Sequence, residues 1–221
     1  MNVANPLAPY LATKDVFVNL VTKENQLTIV PACPDWTVRD LLAHQVGCLR
    51  DVLTGNLDGL GTPPWTATQI AQFHGASVDE IKWAWDETLG KAGEDALADA
   101  AGSLLPDIVI HEQDLRGALG VRGNRDSLAL AETVAFMAGS RNDVFREQSV
   151  PALRISAGSM TIGIGEGQPE GELRTSVFEA SRALSGRRSV KQMHQLDWST
   201  DPSPWVNRLS VFPSREDDLV E

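Results

Sequence analysis

The sequence predicts a mainly helical protein, with a helix bundle over residues 1–150 and a small α+β domain over residues 151–221. Two observations support this fold class. Before Pro151, apolar residues recur at helical spacing in segments that short loops separate, as in up-and-down bundles. After Pro151, apolar residues first alternate in short runs and then return to helical spacing, which is typical of strands followed by helices.

The composition is that of a globular chain with a sizeable core of its own. Of the 221 residues, 42% are hydrophobic and 22% are charged. The net charge of −11 argues against nucleic-acid binding, because phosphate contacts need clustered Lys and Arg. No apolar run approaches the roughly 20 residues that span a bilayer, and no signal peptide is recognised. With only Cys33 and Cys48 available for disulfides, we expect a soluble cytoplasmic protein.

Capping and stop residues mark the helices of the first half. An amphipathic helix is expected over residues 10–24. Thr37, with Asp40 three residues later, predicts the start of a second helix that ends at Gly55, and Trp36 stands where a hydrophobic staple would pack. The expected continuation is a loop over residues 56–66, helix over 67–98 with a break near Gly75 and a restart at Ser77, and helices over 101–119 and 127–146.

The second half is expected to open with a β-hairpin. Apolar residues alternate in 153–155 and in 160–164, on either side of Ala157-Gly158-Ser159. Residues 171–175 are a candidate third strand. Short helices are then expected at Ser176 with Glu179 as a capping box, at Ser189 and at Ser203-Pro204, and the tail from Arg215 is expected to be frayed.

Two histidines and an aspartate occupy positions that suit a metal site in a helix bundle. His44 lies at the edge of the apolar stripe of its helix. Asp107 and His111 are four residues apart, so they project from the same helix face one turn apart. Three protein ligands with one open position are typical of a catalytic zinc site. The spacing therefore makes these three residues candidate metal ligands.

A structural role for these residues is the alternative. A single histidine on an apolar helix face is more often a hydrogen-bonded core residue than a ligand. Cys48, four residues after His44, is a competing ligand, although a buried cysteine is more often structural. Asp114, one turn after His111, either orients a ligand or pairs with Arg116.

Three segments stand out in a fixed order along the chain. They are Cys33–His44 (CPDWTVRDLLAH), Val109–Arg116 (VIHEQDLR) and Ala183–Ser189 (ALSGRRS), the last followed by Leu196–Trp198 (LDW). Together they resemble the mycothiol-dependent maleylpyruvate isomerase family, which has a DinB-like bundle and a smaller C-terminal domain. The resemblance extends over nearly the whole chain, and the joint order of the segments is more specific than any one of them.

The resemblance implies a divalent metal ion, usually taken as zinc, held by His44, Asp107 and His111. The family isomerase has Glu where this chain has Asp107, so the shorter side chain requires either closer helices or looser binding. The resemblance also implies mycothiol as a thiol cosubstrate, because a dication keeps a bound thiol deprotonated. Addition to a cis-enoate, bond rotation and elimination would give the trans isomer, whereas displacement of a leaving group would give a thioether. Isomerisation and S-transfer both stay open.

Arg187 and Arg188 are candidates for binding a carboxylate of the thiol or of a small-molecule electrophile, because guanidinium offers paired donors. A solvated basic turn at a helix C-terminus is the alternative. Two other functions stay open. One is a metal-dependent hydrolase with water at the open position and Asp114 or Glu112 as general base; the other is a non-catalytic binding or regulatory protein. The sequence leaves the electrophile, the metal and the oligomeric state undetermined.

Overall fold

The computed structural model describes residues 5–221, which divide into two compact units after Arg122. The N-terminal unit is a helix bundle, and the C-terminal unit, from Gly123 onwards, combines helices with a mixed β-sheet. The predicted fold class, a helix bundle followed by a small α+β part, is therefore confirmed. Within residues 5–221, no helix combines the length and the apolar character that crossing a membrane requires.

Helix α2 is the centre of the N-terminal unit. It packs on α3, α4 and α5, and α1 packs on α5. Leu41, Leu42 and Leu49 of α2 are completely buried, so this helix supplies much of the apolar core. The elements of the unit are α1 (Leu7–Leu20), β1 (Ile29–Val30), β2 (Cys33–Thr37), α2 (Val38–Thr54), α3 (Pro63–Ala71), α4 (Val78–Lys91) and α5 (Glu94–Leu119).

The ends of α2 follow the prediction. Thr37 accepts from the backbone N–H of Asp40, and the Asp40 carboxylate accepts from the backbone N–H of Thr37, which forms a complete capping box. Gly55 ends the helix in the left-handed region at φ 72°, where a residue without Cβ is favoured. These two ends fix where along the bundle the side chains of α2 lie.

Other boundaries of the N-terminal unit differ from the prediction. Helix α3 begins at Pro63, within the segment expected to be a loop, because proline is tolerated in the first turn of a helix. The strands β1 and β2 were not predicted; they are short, pair antiparallel and shift register at Ile29/Val30. Helix α5 begins at Glu94 rather than at residue 101.

Helices α2 and α3 come very close at Gly47. A Cβ atom on Gly47 would lie 2.4 Å from the Cβ of Gln69 and 2.9 Å from its Cα, so a larger residue would force the two helices apart. The missing side chain therefore allows Gln69 of α3 to sit against α2.

The C-terminal unit is built on a sheet with strand order β4-β3-β5-β6. Strand β3 pairs antiparallel with β4, as the predicted hairpin requires, and parallel with β5, the predicted third strand. Helix α6 packs on α8 and β4. The elements are α6 (Leu128–Ser140), α7 (Asn142–Glu147), β3 (Leu153–Ala157), β4 (Met160–Ile164), β5 (Gly171–Thr175), α8 (Val177–Leu184), α9 (Val190–His194) and β6 (Asp197–Trp198).

The position of α6 bears on the domain boundary. The helix expected over residues 127–146 is broken at Arg141 into α6 and α7, and both belong to the unit that contains the sheet. The two compact units therefore separate after Arg122. The division into domains 1–150 and 151–221 stays a prediction.

The end of the chain is docked, so the prediction of a frayed tail is wrong. Leu219 is buried, and the side-chain carboxylate of Glu221 accepts hydrogen bonds from Arg182 and Arg188. Residues 203–209 form turns rather than the expected short helix. Helix α8 is capped by Ser176 as predicted, but the carboxylate of Glu179 accepts from Arg188 instead of closing a capping box.

Candidate metal centre

The structure brings together the three residues predicted as metal ligands. His44 comes from α2, and Asp107 and His111 come from successive turns of α5; one ligand atom of each lies within 4.8 Å of the others. His44 Nε2 is 3.5 Å from Asp107 Oδ2, and His111 Nε2 is 3.5 Å from Asp107 Oδ1. Ligand atoms around a tetrahedral zinc ion with bonds of about 2.0–2.1 Å lie about 3.3–3.4 Å apart. The observed spacing is therefore close to that of a metal centre.

The ring of His44 is held by one nitrogen only. Its Nδ1 lies 2.7 Å from the side-chain oxygen of Gln69, and the Gln69 amide nitrogen donates to Asp51 Oδ2 at 2.7 Å. The Nε2 atom of His44 is buried and has no hydrogen-bond partner among residues 5–221. Since a buried polar atom without a partner is costly, this nitrogen marks a position where an additional group fits.

The ring of His111 is also held through its Nδ1 atom, but by a carboxylate. Its Nδ1 lies 2.9 Å from Asp114 Oδ2, and Asp114 is completely buried. A metal-ligating histidine commonly donates its other ring N–H to a carboxylate or carbonyl group, which fixes the ring orientation. In both histidines Nδ1 is engaged, so the two Nε2 atoms face the carboxylate of Asp107.

Asp107 lies where an anion is favoured. Gln45 donates to Asp107 Oδ2 at 2.8 Å. Although burial alone would raise the pKa of the Asp107 carboxyl, the positive charge of His111 and His44 when protonated and the hydrogen bond from Gln45 hold it well below its usual range. Because Asp107 uses its two oxygens toward different histidines, the short aspartate side chain is sufficient to reach both.

Two tryptophans lie near the histidine rings, Trp36 against both and Trp65 near His44. The ring of Trp36 lies 4.9 Å from the ring of His44 and 5.8 Å from that of His111, and Trp65 lies 6.5 Å from His44 in an edge arrangement. The sequence indicated only a packing role for Trp36 at the helix start. Its contact with both candidate ligands could not be seen from spacing, because His111 lies on another helix.

A second group of potential ligands shares His111. It consists of Cys33, His111 and Asp114, whose ligand atoms also lie within 4.8 Å of one another. Cys33 Sγ is 3.8 Å from Asp114 Oδ2. Cys48, the competing ligand considered from sequence, is buried and belongs to neither of the groups found among residues 5–221.

A cavity of about 470 Å³ opens on the bundle beside this cluster. The start of α2 and the length of α3 form its walls, and Trp36 lines it as well as touching both histidine rings. The lining combines apolar carbons with polar groups, among them Asp35, Thr66 and His74. A small molecule bound there would contact Trp36, whose ring also lies against both histidine rings.

The two arginines predicted to bind a carboxylate belong to the C-terminal unit. Arg188 is buried and forms ion pairs with Glu179 at 2.7 Å and with Glu221 at 3.1 Å. Arg187 is half-buried and donates to the backbone carbonyl of Ser185. The charge of Arg188 is therefore already balanced by carboxylates of the chain itself.

The fold and the site together define a class, a helix-bundle protein with a two-histidine, one-aspartate cluster between its helices. The structure is similar to that of a mycothiol-dependent maleylpyruvate isomerase, with a TM-score of 0.57, 14% sequence identity, and 89% of this chain and 92% of that chain covered. A histidine-to-alanine mutant of the mycothiol-dependent maleylpyruvate isomerase gives a TM-score of 0.59 at 16% identity, with the same coverage. At these identities the likeness establishes a shared fold.

Neither the protein-family models nor the curated protein sequences give a match to this chain. The likeness to known proteins therefore rests on the fold, and it agrees with the family resemblance of the three sequence segments.

Proposed function

We propose that this protein is a metal-dependent enzyme that uses mycothiol to act on an electrophilic carbon of a small molecule, as an isomerase or as an S-transferase. The observation that carries the proposal is the pair of Nε2 atoms, one of them buried without a partner, facing the Asp107 carboxylate. The fold shared with a mycothiol-dependent maleylpyruvate isomerase supports the choice of thiol.

The donor set fits a divalent metal ion, and zinc in particular. Two imidazole nitrogens and one carboxylate oxygen are ligands that zinc accepts, and three protein ligands leave a fourth position open. His44, Asp107 and His111 would hold the ion, with Gln69 and Asp114 orienting the two rings. Bound there, the ion would supply the positive charge that keeps a thiol deprotonated at neutral pH.

The residues around the ligands would exclude water and orient the reactants. Trp36 and Trp65 cover the histidine rings with apolar surface, and the cavity beside Trp36 has room for the electrophile or for the body of the thiol. Addition of the thiol to a cis-enoate, rotation about the resulting single bond and elimination return the thiol unchanged. Displacement at a saturated carbon would instead form a thioether and release the leaving group.

The hydrolase alternative receives less support from the carboxylates near the site. A general base must be within reach of the water that it deprotonates. The Asp114 carboxylate is 2.9 Å from His111 Nδ1, and the Glu112 carboxylate accepts from Arg116 at 2.7 Å. Both groups considered for the role thus already bind neighbouring side chains of α5.

The carboxylate-binding role of the two arginines is a separate part of the proposal. With Arg188 paired to Glu179 and Glu221, its guanidinium would reach a ligand only if those contacts opened. Arg187 is therefore the better position for testing whether a substrate carboxylate is bound. A rise in KM for Arg187→Ala with unchanged metal content would support the role.

Turnover of a model electrophile tests the proposed function. The protein is loaded with zinc and assayed with and without added mycothiol. We expect product formation to depend on the thiol, because the thiol supplies the attacking sulfur atom. Equal rates in both conditions would instead support the hydrolase, and no turnover with any thiol or electrophile would support a binding protein.

The matched variants are His111→Ala and His194→Ala. His194 is exposed in α9, so its loss removes an imidazole without touching the cluster. The mycothiol-dependent rate should be lost in His111→Ala and retained in His194→Ala. A His111→Ala protein that retains both its zinc and its full rate would contradict the assignment.

A further inference from the structure

The side chain of Gln69 connects His44 by hydrogen bonds to the buried carboxylate of Asp51, two helical turns away on α2. His44 Nδ1 meets the Gln69 side-chain oxygen at 2.7 Å, Gln69 Nε2 meets Asp51 Oδ2 at 2.7 Å, and Asp51 Oδ1 accepts from the Asn56 side-chain amide at 2.9 Å. His44 and Asp51 both belong to α2, and Gln69 reaches them from α3. We propose that Asp51 is a positioning residue that sets the tautomer of His44, acting through Gln69.

The direction of every hydrogen bond in this chain follows from the carboxylate. An ionised carboxylate only accepts, so the Gln69 amide must turn its NH₂ group toward Asp51. The Gln69 amide oxygen then faces His44, and it accepts a hydrogen bond from Nδ1–H because an amide oxygen cannot donate. The proton of the neutral His44 ring is therefore on Nδ1, and the lone pair is on Nε2, which faces Asp107.

Burial keeps this arrangement from exchanging with water. The exposed fractions are 0% for Gln69, 2% for His44 and 5% for Asp51. Turning the Gln69 amide around would place its NH₂ group against Nδ1 and its oxygen against the carboxylate, which leaves buried groups without partners. The stem of Gln69 is also held in place by the close approach at Gly47.

As a consequence, His44 Nε2 is already unprotonated before a metal ion binds. A histidine ligates a metal through an unprotonated nitrogen. This inference rests on the proposed function only in assigning His44 to a metal ion; the tautomer itself is a property of the metal-free protein. Its test therefore has a readout that does not depend on metal binding or on catalysis.

The variant Asp51→Asn should reverse the donor–acceptor direction of the hydrogen bonds that link residue 51, Gln69 and His44. Asn56 would still donate to the side-chain oxygen at position 51, so the new NH₂ group would face Gln69. Gln69 would then turn its oxygen toward position 51 and its NH₂ group toward His44 Nδ1. The His44 proton would move to Nε2, the nitrogen that faces Asp107.

Long-range ¹H–¹⁵N correlation spectra of the metal-free protein, labelled at histidine, report which ring nitrogen carries the proton. The chain has four histidines, and the His44 signals are assigned by their absence in a His44→Gln sample. We expect an unprotonated Nε2 in the natural protein and a protonated Nε2 in Asp51→Asn. The exposed Asp58 supplies the matched control, and Asp58→Asn should leave the His44 signals unchanged.

Competition with a chromophoric zinc chelator gives the second readout. Asp51→Asn should weaken zinc binding by about 10–100-fold, the usual effect of losing a group that orients a ligand. Asp58→Asn should bind zinc like the natural protein. If neither the natural protein nor its variants bind zinc, the proposed metal centre is wrong, while the NMR spectra still determine the tautomer of His44.

If Asp51→Asn does not fold, as judged by circular dichroism, Gln69→Met replaces it. Methionine fills a similar volume without an amide, so no group would hold the proton on Nδ1 and both tautomers would be populated. A folded Asp51→Asn or Gln69→Met protein in which His44 keeps its proton on Nδ1 alone would overturn the inference.

Discussion

The two candidate histidine ligands are oriented by chemically different partners. His111 donates directly to the carboxylate of Asp114, whereas His44 meets the neutral amide of Gln69, which in turn donates to Asp51. A direct carboxylate makes an imidazole more basic than an amide does. His111 is thus expected to be the stronger zinc ligand, and His44 the one more sensitive to changes in the surrounding helices.

Gly47→Ala tests how far the site depends on the contact between α2 and α3. The added Cβ would lie 2.4 Å from Gln69 Cβ, so the helices must separate and the Gln69–His44 bond must lengthen. We expect the free energy of unfolding to fall by about 1–3 kcal/mol, as for other overpacked cores, and zinc affinity to fall with it. Urea denaturation and the chelator competition measure the two effects.

The control for this variant is Gly102→Ala in α5. A Cβ at Gly102 would meet no atom of residues 5–221 within 4 Å. Alanine should therefore stabilise the helix slightly, because it has the higher helix propensity. If Gly47→Ala is as stable as Gly102→Ala and binds zinc equally well, the close contact has no role at the site.

Thiol reactivity should distinguish the two cysteines. Burial raises the pKa of the Cys48 thiol well above its usual range, with Asp107 and Asp51 adding to the effect. A protonated, buried thiol reacts poorly with alkylating agents. Iodoacetamide at pH 8 should leave Cys48 unmodified in the native protein and modify it in urea, with peptide mass spectrometry identifying the site. Rapid modification of Cys48 under native conditions would contradict the described burial.

Spacing on a single helix pointed to two of the three candidate ligands, but not to the groups that orient the histidine rings. Asp107 and His111 are one turn apart on α5, which a sequence displays directly. The distances along the sequence from His44 to Asp51 and Gln69 do not distinguish these two residues from other polar residues. Their role arises from the approach of α3 to α2 at Gly47, a tertiary contact that no local pattern predicts.

At the scale of helices and strands, caps were the most informative sequence signals. Thr37, Ser77 and Ser189 each form the N-cap of a helix with a complete capping box. Their chemistry is local, because an oxygen and a backbone N–H three residues away satisfy each other. The short strands β1 and β2 and the start of α3 at Pro63 were missed, since tertiary contacts decide whether such brief segments become regular.

The docked tail should contribute to the stability of the C-terminal unit. Arg188→Ala removes a buried guanidinium that pairs with Glu179 and Glu221. Without Arg188, Glu221 stays paired with Arg182 and the half-buried Glu179 loses this hydrogen-bonded partner, so the free energy of unfolding should fall by about 1–3 kcal/mol. Urea denaturation of Arg188→Ala measures the loss.

Arg146→Ala is the matched control for this effect. Arg146 forms an exposed pair with Asp143, and exposed pairs contribute little to stability. The two variants should therefore differ clearly in their urea midpoints. Equal midpoints would show that the contacts of Arg188 do not stabilise the fold.

At the scale of the whole molecule, the candidate metal centre lies entirely within the N-terminal unit. All three candidate ligands and both groups that orient the histidine rings come from α2, α3 and α5. The fold class followed from the sequence, because periodicity changes near Pro151. The compact units nevertheless separate after Arg122. Helix α6 joins the C-terminal unit because it packs on α8 and β4, a tertiary contact that the local sequence pattern does not show.

Zinc titration of the metal-free protein tests the central claim most directly. If His44, Asp107 and His111 form a metal centre, the natural protein and His194→Ala should each bind one zinc ion per chain. His111→Ala should bind none that survives gel filtration, because two remaining ligands cannot compete with water. Zinc binding of equal stoichiometry and affinity in His111→Ala, or none in the natural protein, would contradict the account.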